Sequence, residues 1–363
     1  MRSISDTIER LRKLRSAPGA APVFDDRLTD LGPFGSNYGA LEAKIHIPKG
    51  LMPRAPLVVV LHGCTQTASA YDHGSGWSRL ADDYGFVVLF PQQTRSNNAN
   101  TCFNWFVPGD IRRDQGEAFS IRQMIETVTS RYDIDRSRIF ITGLSAGGAM
   151  ANVMLATHPE LFAGGAIIAG LPYATATTVP EAFDRMRGQG LPGTDGLQTL
   201  LRAASKHDGS WPTISVWQGT KDHTVVPATA FAVIEQWRDV HEVEYPPAIE
   251  RIDRHQRFVW RGADGREALE LYQLGGMGHG TPIDATSGYG SAGPYMLDVG
   301  ISSTQHIARS WGLIASFEKR VNLDLPKSHE PPANTFQSPY SSEQGTGIQQ
   351  TIEKALRAAG LMK

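Results

Sequence analysis

Few properties of this 363-residue chain are extreme, and what is scarce narrows the reading first. Cysteine occurs only at Cys64 and Cys102, too sparse for the disulfide framework of a small secreted domain. In a reducing compartment these would be two separate thiols, and in an exported protein they would be free to pair. No apolar run approaches the roughly 18 residues of a membrane span. Charge of one sign is also missing: 35 Lys and Arg against 37 Asp and Glu leave a formal net charge of -2, so the balance offers no basic face for nucleic acid. His, Cys and Asp do not recur at metal-ligand spacing, and neither a phosphate loop nor a dinucleotide fingerprint is present, so no metal and no cofactor are expected. The start of the chain mixes charge with apolar residues at helical spacing. It lacks the apolar core and small-residue cleavage site of a secretory leader, which makes a cytoplasmic protein the expectation.

Apolar segments alternate with helical ones. Residues 56–62 and 85–91 are continuously apolar, as strands buried on both faces are. Residues 139–142, 165–170, 212–219 and 268–274 read as further strands, and 41–47 alternates like an antiparallel strand. Helices are predicted over 77–83, 117–131, 146–157, 228–240 and 304–319. This order predicts an α/β fold, with a doubly wound, mostly parallel sheet. Residues 171–210 break the rhythm with Thr, Pro and Gly, as a cap-like insertion over a site would. The implied division is an amphipathic helix and linker over 1–34, a catalytic domain over 35–322, and a linker with a second amphipathic helix over 323–363. Thr7 to Arg12 resembles Thr351 to Arg357, as two amphipathic helices docked on the body would.

The chemistry centres on Gly143-Leu144-Ser145-Ala146-Gly147, between an apolar strand and a helix. A serine flanked by glycines at such a strand-to-helix turn is a nucleophile elbow. The turn is tight enough that the glycines must lack side chains, and the serine Oγ is pushed outward. A serine hydroxyl needs a base, and the base an orienting acid, in the chain order Ser, Asp or Glu, His. Of eleven histidines, His279 follows the last predicted strand in a glycine-rich loop able to curl toward Ser145, with His223 and His306 as alternatives. Asp222 lies on the turn after the strand ending at Gly219, with Asp284 in reserve. Two backbone N–H groups must meet the developing oxyanion. Ala146 supplies one at the helix N-terminus, and Cys64, after the turn at Gly63, supplies the other through its backbone and not its thiol. Asn104, Trp105 and Phe106 form a polar-aromatic cluster. A Cys64–Cys102 bond would hold Trp105 near the oxyanion loop, so Trp105, Asn104 and Gln66 are candidate substrate contacts.

Four segments together, VVVLHGCTQ at 58–66, CFNWF at 102–106, GLSAGGAM at 143–150 and WQGTKD at 217–222, resemble the polyhydroxybutyrate depolymerase family of esterases. The resemblance implies an α/β-hydrolase fold and a triad of Ser145, Asp222 and His279. It further implies oxyanion donors at Cys64 and Ala146, a disulfide between Cys64 and Cys102, and Trp105 lining the crevice. The implied function is a serine esterase acting through an acyl-enzyme on poly(3-hydroxybutyrate), its oligomers or related short-chain hydroxyacyl esters. Feruloyl or acetylxylan-type carbohydrate esterases are the alternative within the family, and a non-catalytic ligand- or granule-binding protein is the alternative outside catalysis. Polymer-degrading members are commonly extracellular, with a leader and a polymer-binding domain; neither is read here, which favours soluble oligomers or small esters as substrates.

Overall fold

The continuously apolar segments form the centre of a ten-stranded sheet in the computed structural model, which describes residues 26–243 and 245–317. Its strands are β1 (Thr29–Asp30), β2 (Glu42–His46), β3 (Ala55–Leu61), β4 (Val87–Gln92), β5 (Ile134–Leu144), β6 (Gly164–Ile168), β7 (Thr213–Gly219), β8 (Ala248–Ile252), β9 (His255–Arg261) and β10 (Glu267–Leu274). They lie in the order β1-β2-β4-β3-β5-β6-β7-β10-β9-β8. From β4 through β10 every pairing is parallel, while β1 and β2 on one side and β9 and β8 on the other run antiparallel. β11 (Thr281–Ile283) and β12 (Met296–Asp298) form a small parallel pair apart from the sheet.

Side chains alternate across each strand, so both faces of the sheet are apolar and both are covered. Leu57, Val59 and Leu61 of β3 join one core cluster with α3 (Gly116–Arg131), α4 (Ala146–Thr157) and α7 (Ala228–His241). Val58 and Val60 join the other with α1 (Ala68–Ser75), α2 (Trp77–Tyr84) and α8 (Ser303–Ser310). The insertion at 171–210 contains no strand and folds as α5 (Val179–Met186) and α6 (Thr194–Arg202). One buried amide fastens it. Gln236 of α7 donates through Nε2 to the carbonyls of Tyr173 and Leu197 at 3.1 and 3.3 Å, and its Oε1 accepts the Tyr173 N–H at 2.7 Å. Asn152 of α4 donates to Leu171 O at 3.1 Å.

Some expectations need correction. The body starts before residue 35: Leu28, Leu31 and Phe34 are buried, and Thr29 and Asp30 pair with Ile45 and Lys44. The helix expected over 304–319 ends at Ser310, where Gly312 turns the backbone left-handed at a φ of 65°. α1 and the β8–β9 hairpin were not anticipated. The amphipathic helices expected at the two ends fall outside the described residues.

Candidate active site

In a parallel sheet the loops leaving the carboxyl ends of adjacent strands share one edge, and sites form there. Register places five such ends side by side. Leu61 of β3 pairs with Gly143 of β5, Leu144 with Ile168 of β6, Ile168 with Trp217 of β7, and Gly219 with Leu274 of β10. The next residues out are Gly63 and Cys64, Ser145, Asp222 and His279. Residues 64, 145, 222 and 279, far apart in the chain, are therefore carried to one rim.

Ser145 has φ 56° and ψ -118°, a conformation L-residues seldom adopt, held by neighbours on both sides. Its N–H donates to Ile168 O at 2.8 Å, and its carbonyl accepts the Ala149 N–H at 2.8 Å. Both flanking glycines are obligatory. A Cβ on Gly143 would collide with the Gly147 carbonyl, and one on Gly147 would collide with the carbonyls of Leu61 and His62. The elbow is thus packed backbone to backbone against the end of β3 at Leu61 and His62, just before the Gly63–Cys64 turn. Ala146 opens α4, where the first N–H groups have no partner within the helix and carry its positive dipole end.

Asp222 is buried, and both its oxygens are engaged. Oδ1 accepts the N–H groups of Thr224 and Val225 at 2.8 and 2.9 Å; Oδ2 accepts Gln218 Nε2 at 3.2 Å and His279 Nδ1 at 2.7 Å. A carboxylate only accepts, so His279 carries its proton on Nδ1 and keeps a lone pair on Nε2. The two loops are tied together as well: Lys221 N–H donates to Met277 O at 2.9 Å, and Gly276 N–H donates to Thr220 Oγ1 at 2.9 Å. The alternatives sit elsewhere. Asp284 caps the 3-10 turn at 285–287 through Thr286, His223 is exposed, and His306 packs edge-on against Trp217 and Tyr272.

Cys64 and Cys102 are joined in a disulfide. The turn before Cys64 is clamped at Gly63, whose N–H donates to Gln66 Oε1 at 2.9 Å, while its carbonyl accepts His62 Nδ1–H at 2.8 Å and the Gln66 N–H at 3.3 Å. That carbonyl and the Cys64 N–H belong to one peptide plane, so fixing the first aims the second. Gln66 is a brace for the turn. Asn104 is likewise engaged at both ends, accepting from Asn98 Nδ2 at 3.0 Å and donating to Asp110 Oδ2 at 3.2 Å. Trp105 lies in an apolar cluster with Ala146, Ala149, Leu171, Ala176, Ala182 and Val225, and Phe106 meets it edge to face at 5.3 Å.

Three supporting residues were not singled out from the sequence. His62 accepts the Gln93 N–H on Nε2 at 3.1 Å, and burial drives its pKa down to about 4, so it works as a neutral clamp. Gln218 spans from Asp222 to Val225 O at 2.9 Å. His255 accepts the Gly275 N–H at 3.1 Å and donates to Val299 O at 3.1 Å, anchoring the loop that ends in His279. A histidine closing an apolar strand before glycine signals the first; nothing in the sequence signals the other two. Among the described residues no three His, Cys, Asp or Glu gather to hold a metal, and no helix is long and apolar enough to cross a membrane.

Residues 41–241 match the family described as esterase PHB depolymerase. The chain belongs to that family. Poly(3-hydroxyalkanoate) depolymerase C of Paucimonas lemoignei is 45% identical over 296 residues, 79% of this chain and 70% of that one. Acetylxylan esterase A of Aspergillus oryzae is 29% identical over 265 residues, 71% of this chain and 84% of that one. Feruloyl esterase B of Talaromyces funiculosus is 28% identical over 269 residues, 71% of this chain and 74% of that one. Among solved structures, the acetyl xylan esterase from Aspergillus awamori superimposes with a TM-score of 0.68 at 24% identity, over 79% of this chain and 99% of that one. The fold of this PHB depolymerase-family esterase is that of the α/β-hydrolases, and it is a carboxylic ester hydrolase.

Proposed function

We propose that this esterase cleaves poly(3-hydroxyalkanoate) chains or their oligomers through an acyl-enzyme on Ser145. The observation that carries the proposal is the buried Asp222–His279 pair, with Nδ1 committed to the carboxylate at 2.7 Å and Nε2 left as a base. His279 takes the Ser145 proton as Oγ attacks the ester carbonyl. Asp222 holds the imidazole tautomer and stabilises the imidazolium. The N–H groups of Cys64 and Ala146 receive the oxyanion. His279 then protonates the leaving alcohol, and a water it activates releases the acid, restoring the serine. Gln66 and His62 aim the Cys64 N–H, and Trp105 with Phe106 forms an apolar wall for the hydroxyacyl chain.

The apolar character of that wall, with Leu171, Ala176 and Val225 beside it, supports an alkyl-branched polyester over a carbohydrate ester. The disulfide supports an oxidising compartment over the cytoplasm, which a thiol count under non-reducing denaturation checks. The test of function is a fluorophosphonate probe with a hydrolysis panel of 3-hydroxybutyrate oligomers, amorphous polymer, feruloyl esters and acetylated xylan. Ser145 should be the labelled residue, Ser145→Ala should abolish turnover with folding intact, and the oligomers should be the best substrates. Wild-type rates in the Ser145→Ala variant would sink the serine assignment, and a preference for xylan would sink the substrate.

A further inference from the structure

Beneath the loop that carries Cys102 and Trp105 lies a carboxyl group for which the hydrolytic steps have no use. Glu117, in the first turn of α3, is fully buried. Its Oε1 accepts from Gln93 Nε2 at 2.6 Å and from Asn97 Nδ2 at 2.9 Å, and its Oε2 accepts the Asn104 N–H at 2.8 Å. Gln93 extends the grip, donating through Nε2 to Cys102 O at 3.0 Å and through its N–H to His62 Nε2 at 3.1 Å. Asp110 joins the same network: its Oδ1 accepts Glu117's own N–H at 3.3 Å, and its Oδ2 accepts Asn104 Nδ2 at 3.2 Å.

A carboxyl group buried among neutral donors is a costly way to fill space, since an apolar side chain would need no hydrogen bonds at all. What it provides is acceptor capacity on both oxygens. Every donor it meets belongs to the segment 93–104, which leads into the aromatic wall. Gln would not replace it. Whichever way the amide turned, an NH2 would face either the Asn104 N–H or the amides of Gln93 and Asn97.

We infer that Glu117 is a positioning residue for substrate binding: it latches the Asn104 backbone and so sets the place of Trp105 in the wall. This rests on the reading of Ser145 as nucleophile and Trp105 as a substrate contact. A latch acts on binding of a chain long enough to reach the wall, and hardly on a two-carbon acyl group.

The experiment is a double-variant cycle in the full chain with Glu117→Gln, Trp105→Ala and both together. KM and kcat are measured on a 3-hydroxybutyrate trimer and on p-nitrophenyl acetate, with fluorophosphonate labelling of Ser145 alongside. Glu117→Gln should raise KM for the trimer about tenfold, the effect of one lost buried hydrogen bond. It should change kcat on p-nitrophenyl acetate by less than about threefold and add less than about twofold to KM in the Trp105→Ala background. Should Glu117→Gln fail to fold, Asn97→Ala, which removes one donor at a partly exposed position, takes its place with a smaller shift in the same direction. Equal losses of kcat on both substrates at unchanged KM would mark a merely structural role and overturn the inference, as would full additivity with Trp105→Ala. With Ser145 labelled throughout, those results count against Glu117 alone. No labelling in the wild type would overturn the serine reading, and this inference with it.

Discussion

Asp222 Oδ2 lies 2.7 Å from Nδ1 of His279 while Asp222 Oδ1 is held by two backbone N–H groups, of Thr224 and Val225, so the carboxylate cannot rotate away from the imidazole. Asp222→Asn would place an NH2 against one donor set or the other and favour the wrong imidazole tautomer. In serine proteases the Asp-to-Asn change at the triad aspartate lowers kcat by about 10⁴, and with Asp222 in the role proposed for it a loss of about 10³ to 10⁴ in kcat is expected here with the fold retained. Kinetics on a p-nitrophenyl ester with a melting curve checks this; a kcat within about tenfold of wild type would remove Asp222 from its role.

Gln66 holds the Gly63 N–H at 2.9 Å and, through the turn, the plane that presents the Cys64 N–H. Gln66→Leu should therefore lower kcat by about 10²-fold, the order of loss seen when one oxyanion donor is removed. KM should move little, because the oxyanion exists only in the transition state. A rise in KM at constant kcat would instead make Gln66 a ground-state substrate contact.

The disulfide closes a separation of 38 residues. A loop of that size restricts the unfolded chain by about 3 to 4 kcal/mol. Reduction, or the paired Cys64→Ser and Cys102→Ser changes, should lower the thermal midpoint and weaken turnover, because Cys64 and the Trp105 loop lose their covalent link. An unchanged midpoint after reduction would show that the bond contributes nothing in solution.

Stability should pass through a maximum in pH. Burial pushes the imidazoles of His62, His158, His241 and His306 down to about 4, against an ordinary value of 6.5. Between those values the unfolded chain binds protons that the folded chain does not, so stability drops as pH falls through that window. Three carboxyls work the other way. Burial raises Asp72, Asp110 and Glu270 above their ordinary values, so over that range the folded protein holds protons that the unfolded chain has released, and stability drops as pH rises through it. Urea midpoints should climb from about pH 4 to about pH 6.5 and climb no further above it. Midpoints that keep climbing from neutrality to about pH 9 would contradict this.

The centre of the sheet was readable because β3, β4, β6 and the second half of β5 are buried on both faces and mostly apolar, and a continuous apolar run admits few other readings. The elbow was readable because its glycines answer steric demands that no other residue can meet. The β8–β9 hairpin was hidden: β8 is exposed at four of its five positions and rich in charge, so its pattern carries no burial signal. α1 was hidden because Ala68–Ser75 has no apolar stripe and is set by its Thr67 cap and by Gly76. Gln66 and Asn104 read from the sequence as substrate contacts, whereas their side chains are engaged by Gly63, Asn98 and Asp110. Sequence position brings a polar residue to the rim of a site, whereas the direction of its side chain depends on partners such as Gly63 and Asp110 that lie elsewhere in the fold or across a turn. His255 acts from β9, the strand next to the one that leads into the His279 loop, and no motif links the two.

The amide of Gln236 grips the insertion at Tyr173 and again at Leu197, behind the helix that follows Ser145. A cover fastened on both arms by a buried side chain is a fixed brim and not a hinged flap. A site bordered by such a brim should keep one shape in dilute solution and against a solid particle. Turnover of a partly soluble ester should accordingly rise smoothly through its solubility limit, without the interfacial activation that marks flap-covered lipases.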